Sequence, residues 1–135
     1  MERRKLGQLE VSAIGLGCAT MTPFYGAPDP ASAVETIHRA ADLGIDFLDT
    51  SDAYGNGRHE ELISRAVEGR RRGYVIASKF GNLRRADGTP PADGRPEYVK
   101  AACERSPSDC GPRLSTFITS TGSIRPSGSR RRSAL

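Results

Sequence analysis

Three side chains in this sequence have types and spacings that suit proton transfer to an oxygen. Phe47-Leu48-Asp49-Thr50-Ser51-Asp52-Ala53-Tyr54-Gly55 ends a short apolar run on an acid and sets a tyrosine five residues beyond it. Val75-Ile76-Ala77-Ser78-Lys79-Phe80-Gly81 places a lysine directly after a second apolar run, a poor position for simple solvation. A tyrosine hydroxyl alone is a weak acid at neutral pH. A neighbouring ammonium stabilises the phenolate, and an aspartate beside the ammonium keeps it charged and oriented. Such a trio can protonate a carbonyl oxygen while hydride arrives at the carbon. The same spacing admits a plainer reading, in which Asp49 and Lys79 form a structural ion pair and Tyr54 is a loop aromatic.

For these groups to meet, the two apolar runs must lie side by side and end on the same rim. The order of elements provides this. Lys5 to Val11 reads as a hairpin turning at Gly7-Gln8, and Ala13-Ile14-Gly15-Leu16-Gly17 as a short strand. Asp29-Pro30 gives an N-cap with proline at the first helical position. Ala33, Val34, Ile37, Ala40 and Ala41 form one apolar face, and Gly44 supplies the stop. Ile45 to Asp49 is a strand, Glu60 to Val67 a helix, Tyr74 to Ser78 a strand, and Asn82 to Gly94 a polar loop. Pro96 opens a third helix towards Arg105. Strand and helix alternate three times after the hairpin, which predicts an α/β fold with parallel strands and right-handed crossovers. In such folds catalytic groups gather at the C-terminal ends of strands.

Composition narrows the function classes. The net charge is +4, but residues 1–106 hold 15 Lys/Arg against 15 Asp/Glu. The excess lies in residues 107–135, with five arginines against Asp109. A basic nucleic-acid surface on the folded part is therefore not expected. No apolar run approaches the roughly 18 residues of a membrane span, and no signal-peptide core follows Met1-Glu2-Arg3-Arg4-Lys5. Cys18, Cys103 and Cys110 show neither metal-ligand spacing nor an even disulfide set, so no metal is expected and the cytoplasm is the expected compartment. His59 reads as a surface cap, His38 as exposed, and Arg70-Arg71-Arg72 as a solvated helix end. Gly15 and Gly17 lack the third glycine of a dinucleotide fingerprint.

Leu16-Gly17-Cys18, Phe24-Tyr25-Gly26, Asp49 to Gly55, Asn56-Gly57-Arg58-His59-Glu60-Glu61-Leu62 and Ser78-Lys79-Phe80-Gly81 occur in the order found in aldo-keto reductases. Gly94-Arg95-Pro96-Glu97-Tyr98-Val99 is similar to the opening of that family's third helix. Over roughly residues 5–106 the sequence resembles that family. The resemblance implies an incomplete (β/α)8 TIM barrel of about three βα units. It also implies NADPH across the C-terminal rim and a small-molecule aldehyde or ketone as substrate. Asp49, Tyr54 and Lys79 match the first three members of the family's Asp-Tyr-Lys-His tetrad. Gly17, Cys18, Met21 and Asp49 are the residues it brings to the cofactor, although Cys18 reads equally as a small packed thiol. The Phe24-Tyr25-Gly26 neighbourhood is most similar to a bacterial branch that reduces small and aromatic aldehydes.

After Ser106 the pattern breaks. Sixteen of the 29 residues from Pro107 to Leu135 are Pro, Gly, Ser or Thr, a composition that predicts a disordered, irregular tail. The tetrad histidine is due on the strand after the third helix, yet no histidine follows His59. Written with permissible codons and read from the third base of each, Thr116 to Arg125 becomes Leu-Tyr-Tyr-Gln-His-Arg-Val-Asp-Pro, a stretch typical of that strand. Residues 107–135 thus read as out of frame, through a net loss of one base near Ser106. The alternative to an active reductase is an inactive, frame-shifted fragment. A non-catalytic binding subunit, a role some relatives take, has no feature in its favour.

Overall fold

The N-terminal hairpin forms where a single glycine lets the chain reverse. β1 (Arg3–Leu6) and β2 (Leu9–Ser12) pair antiparallel with Leu6 opposite Leu9. Gly7, at φ 62°, supplies the left-handed turn between them. The hairpin stands apart from the main sheet. In this computed structural model, residues 1–22, 26–27, 29–81, 93–110 and 116–120 are described.

The rest alternates strand and helix: β3 (Gly15–Gly17), α1 (Pro30–Asp42), β4 (Phe47–Asp49), α2 (Arg58–Ala66), β5 (Val75–Phe80), α3 (Pro96–Cys110) and β6 (Thr116–Ser120). Among the described residues the sheet is an open row of four strands in chain order, β3-β4-β5-β6, each pair parallel. This is the α/β arrangement expected, an opening portion of a barrel rather than a closed one. Gly17, Asp49 and Ala77 lie in register across three strands, so the chain segments that follow them leave the sheet on one rim.

α1 starts where the sequence places it. The Asp29 carboxylate accepts from the amides of Ala31 and Ser32, and Pro30 occupies the first turn. Its buried face is Ala33, Ile37 and Ala40, and Gly44, at φ 83°, closes its end with a bond to the Ala41 carbonyl. The core joins this face to the strands and α2 through Cys18, Ile37, Leu48, Ile63, Ala66, Val67, Tyr74 and Ile76. Leu48 and Ile76 are register partners and both wholly buried. Each such side chain contributes roughly 1.5–3 kcal/mol relative to an exposed one. Gly15 lets β3 approach β4, since a Cβ there would stand 2.7 Å from Phe47 Cδ1.

Several expectations change in contact with the tertiary fold. β3 and β4 are shorter at their starts than the apolar runs, and β5 continues to Phe80. His38 is half-buried, not exposed; its Nε2 meets the Ala66 carbonyl at 2.7 Å and caps the end of α2 from a neighbouring helix. Arg71 is not a freely solvated charge either, because it donates to the Tyr74 carbonyl at 2.7 Å. In the segment expected to be irregular, α3 runs past residue 106 to Cys110, and Thr116–Ser120 pairs along β5. Backbone hydrogen bonding to an open edge strand asks little of side-chain identity, which lets five residues of that composition extend the sheet. The Phe24-Tyr25 pair and the loop from Asn82 lie outside the described residues.

Candidate active site

Asp49 is the last residue of β4 and Lys79 the fifth of β5. Adjacent parallel strands therefore bring their side chains to one rim, as the spacing predicts. Lys79 Nζ donates to Asp49 Oδ1 and to the Thr50 carbonyl at 2.7 Å. The Lys79 side chain is 17% exposed and that of Asp49 is 48% exposed, so the cation is sheltered while its counterion faces outward. Tyr54 opens a short 3-10 turn, Tyr54–Gly57, that leads into α2. Lys79 Nζ lies 5.7 Å from the centroid of the Tyr54 ring, within cation–π reach. The three residues singled out from the sequence thus converge.

The loop after β4 is pinned by backbone bonds to β5. The Thr50 amide donates to the Ala77 carbonyl at 2.8 Å and the Asp52 amide to the Lys79 carbonyl at 3.0 Å. Ser51 Oγ adds a contact to the same Lys79 carbonyl at 3.3 Å. From α3, the Tyr98 hydroxyl donates to Asp52 Oδ2 at 2.6 Å.

The expected cofactor residues divide. Gly17 is exposed, and a Cβ there would meet nothing within 4 Å, so backbone beside Asp49 is open to a ligand. Met21 is half-buried against the core. Cys18 is wholly buried in the core cluster, and burial pushes its thiol up to about 12. Its amide ties to the Asp49 carbonyl at 2.9 Å, so it serves the rim through its backbone. Among the described residues no group of three His, Cys, Asp or Glu is placed to hold a metal, and no helix is long and apolar enough to cross a membrane.

His59 is the clearest departure from the sequence reading. It is 4% exposed, where a surface cap was the expectation. Its ring meets Tyr54 edge-to-face, with centroids 5.8 Å apart and planes at 88°. Its Nδ1 lies 3.0 Å from Thr50 Oγ1. Burial lowers its basicity, with the Cys18 carbonyl acting in the opposite sense. Beside it Glu60 is 1% exposed and accepts from Ser78 Oγ at 2.8 Å. A signal for both existed: continuing the buried stripe of Ile63, Ala66 and Val67 back one turn reaches His59 and Glu60.

The sequence model of the aldo/keto reductase family matches residues 13–112. The chain belongs to the aldo/keto reductase family. An uncharacterised oxidoreductase of Bacillus subtilis, YqkF, is 36% identical over 110 residues, covering 78% of this chain and 34% of its own length. An aldo-keto reductase from Bacillus halodurans, solved in its holo form, superimposes with TM-score 0.76 at 29% identity, over 92% of this chain and 41% of that one. A Klebsiella pneumoniae aldo/keto reductase in complex with NADP and acetate gives TM-score 0.60 at 25% identity, over 83% and 36%. The chain therefore spans between about a third and two-fifths of the length of these aldo/keto reductases. The similarity identifies its fold as part of a TIM barrel.

Proposed function

We propose that this site, in a complete barrel, reduces an aldehyde or ketone to an alcohol with NADPH, Tyr54 acting as proton donor. The observation that carries the reading is the placement of the Lys79 ammonium, which Asp49 and the Thr50 carbonyl hold over the Tyr54 ring. NADPH supplies the hydride when bound. The Tyr54 hydroxyl gives its proton to the substrate oxygen as negative charge grows there. Lys79 stabilises the phenolate left behind, and Asp49 keeps Lys79 pointed at the rim. The open backbone at Gly17, beside its register partner Asp49, fits a cofactor along that rim, with Met21 a few residues on as a further cofactor residue. The NADP-bound relative supports the choice of cofactor. A small-molecule carbonyl substrate and a cytoplasmic location belong to the same proposal; the free thiols of Cys18 and Cys103 support a reducing compartment.

One observation favours a second reading for the chain as it stands, an inactive frame-shifted product. β6 follows α3 and pairs with β5 where the tetrad histidine is due, but Thr116–Ser120 contains none. The family match ends at residue 112. In that reading residues 1–106 carry the reductase sequence and 107–135 the altered frame. Two experiments test both readings. Restoring one base near codon 106 is expected to open a frame encoding further βα units; a frame that soon meets stops overturns the lesion. In the restored enzyme Tyr54→Phe is expected to abolish aldehyde reduction while NADPH still binds, and equal turnover removes Tyr54 from the mechanism. The 135-residue chain itself is expected to oxidise no NADPH with an aromatic aldehyde.

A further inference from the structure

We propose that His59 is a positioning residue of this site, a buried imidazole that braces the Tyr54 ring on one side and the Lys79 support on the other. The inference rests on the roles given above to Tyr54 and Lys79. It arises from a group those roles leave unused: a histidine 4% exposed, at the start of α2, behind the rim.

The two contacts of the ring run to Tyr54 and to Thr50, whose carbonyl holds Lys79. The edge-to-face contact, at 5.8 Å and 88°, falls within the favoured geometry of aromatic pairs. It limits how the Tyr54 ring can turn relative to Lys79. The second contact joins Nδ1 to Thr50 Oγ1 at 3.0 Å. Thr50 is wholly buried. Its amide donates to Ala77 and its carbonyl receives Lys79 Nζ at 2.7 Å. The residue that His59 holds by its side chain thus supplies, through its backbone, one of the two oxygens that aim the ammonium.

The chemistry of the ring suits this task. Nε2 is buried and makes no hydrogen bond, and burial is the main influence on the ring's basicity, with the Cys18 backbone opposing it. A neutral ring with its proton on Nε2 leaves Nδ1 to accept from the Thr50 hydroxyl. Neutral imidazole adds no competing charge near Lys79 and Asp49. A leucine would fill similar space but would give neither the flat edge nor the acceptor.

Paired substitutions in the 135-residue chain, read by NMR with labelled tyrosine, histidine, threonine methyl and lysine ε-carbon, test the brace. Tyr54→Phe identifies the Tyr54 signal. The wild type is expected to show a through-space His59–Tyr54 ring contact, with the proton on Nε2. His59→Phe keeps an aromatic edge and loses the acceptor: the Thr50 methyl and Lys79 signals shift while the Tyr54 contact stays. His59→Asn keeps a short polar partner for Thr50 and loses the ring: the Tyr54 contact disappears while Thr50 holds. General destabilisation would move all these signals together, and that result overturns the proposal. A wild-type spectrum lacking the His59–Tyr54 contact overturns it as well. Turnover in the frame-restored enzyme separates the two ideas. If the two variants divide as described but Tyr54→Phe retains activity, the brace stands and the proposed function falls.

Discussion

Two ion pairs sit at opposite ends of one strand, and they are built for different work. At the start of β4, Asp46 takes Arg3 from the hairpin through Arg3 NH1 and accepts from the Ser12 amide at 2.8 Å. Its own amide donates to Ser12 Oγ at 3.1 Å. Partial burial works against the Asp46 carboxylate, but Arg3 and the Ser12 amide and hydroxyl outweigh it and hold its pKa below the usual range. That carboxylate is 22% exposed and has a partner on each oxygen. At the far end Asp49 meets Lys79, and the pairing is lopsided: the carboxylate is 48% exposed and the cation sheltered beneath an aromatic ring. A cation and a carboxylate thus make a clasp where each carboxylate oxygen has a partner. They make a candidate site where the cation keeps a reactive neighbour and an open side. Partner geometry, not the presence of an ion pair, separates structure from chemistry here.

The largest expected effect breaks the comparison outright. In the frame-restored enzyme Lys79→Met should lower kcat/KM by roughly 10²–10⁴-fold, the range of general acid catalysis, while Arg3→Met leaves steady-state kinetics unchanged. Similar losses in both variants, after correction for folded fraction, would show that the rim pair is only a clasp.

Stability should respond the other way. Asp46→Asn is expected to cost about 1–2 kcal/mol in urea unfolding, since a charged hydrogen bond to Ser12 is lost along with a partly exposed ion pair. Asp49→Asn should cost less than half of that, because its carboxylate stands largely in solvent. A larger loss at Asp49 than at Asp46 would reverse the assignment.

The two ends should also soften in different pH windows. The folded pKa of Asp46 is depressed, so its contribution is complete above the unfolded carboxylate range near 3.8. It fades as pH falls through the folded value. His59, beneath the rim, has a folded pKa lowered first by burial. The unfolded chain then binds more protons below the ordinary value of 6.5, so stability falls as pH drops from about 6.5 towards the folded value. Melts between pH 7.5 and 5.5 should therefore decline in the wild type and flatten in His59→Phe. Asp46→Asn should change the slope only below about pH 4. An unchanged slope in His59→Phe would mean the ring is not held neutral.

The smallest effect concerns Cys18, which joins the core to the rim through its amide. With its thiol wholly buried and pushed up to about 12, it should resist iodoacetamide at pH 8 in the native chain and react only in urea. Half-buried Cys103 should label before Cys18, as read by mass spectrometry. Early labelling at Cys18 would place its thiol on the rim rather than in the core.

Much of this was legible in the sequence because it is local. The Asp29-Pro30 cap, the stripe of α1, the Gly7 turn and the apolar runs ending on Asp49 and Lys79 depend on neighbours within a few residues. Alternation of strand and helix then fixed that two consecutive parallel strands would present those ends together. Residue type at that spacing named the acid, the cation and the aromatic, but could not separate a clasp from a site.

Tertiary structure decided the rest, since it depends on which groups the fold shields from water. His59 and His38 both look like surface residues on polar helix segments. One is buried against Tyr54 and Thr50, the other caps α2 across a helix interface. Cys18 could face cofactor or core by sequence, and packing turned its thiol inward. At Thr116–Ser120 the Thr-Phe-Ile-Thr run favours a strand locally, but the Gly, Pro and Ser around it hide the element, which forms along the free edge that β5 offers. Local pattern names the groups and the elements that carry them. Burial and hydrogen-bond partners, which come from residues tens of positions away, determine what each group is able to do.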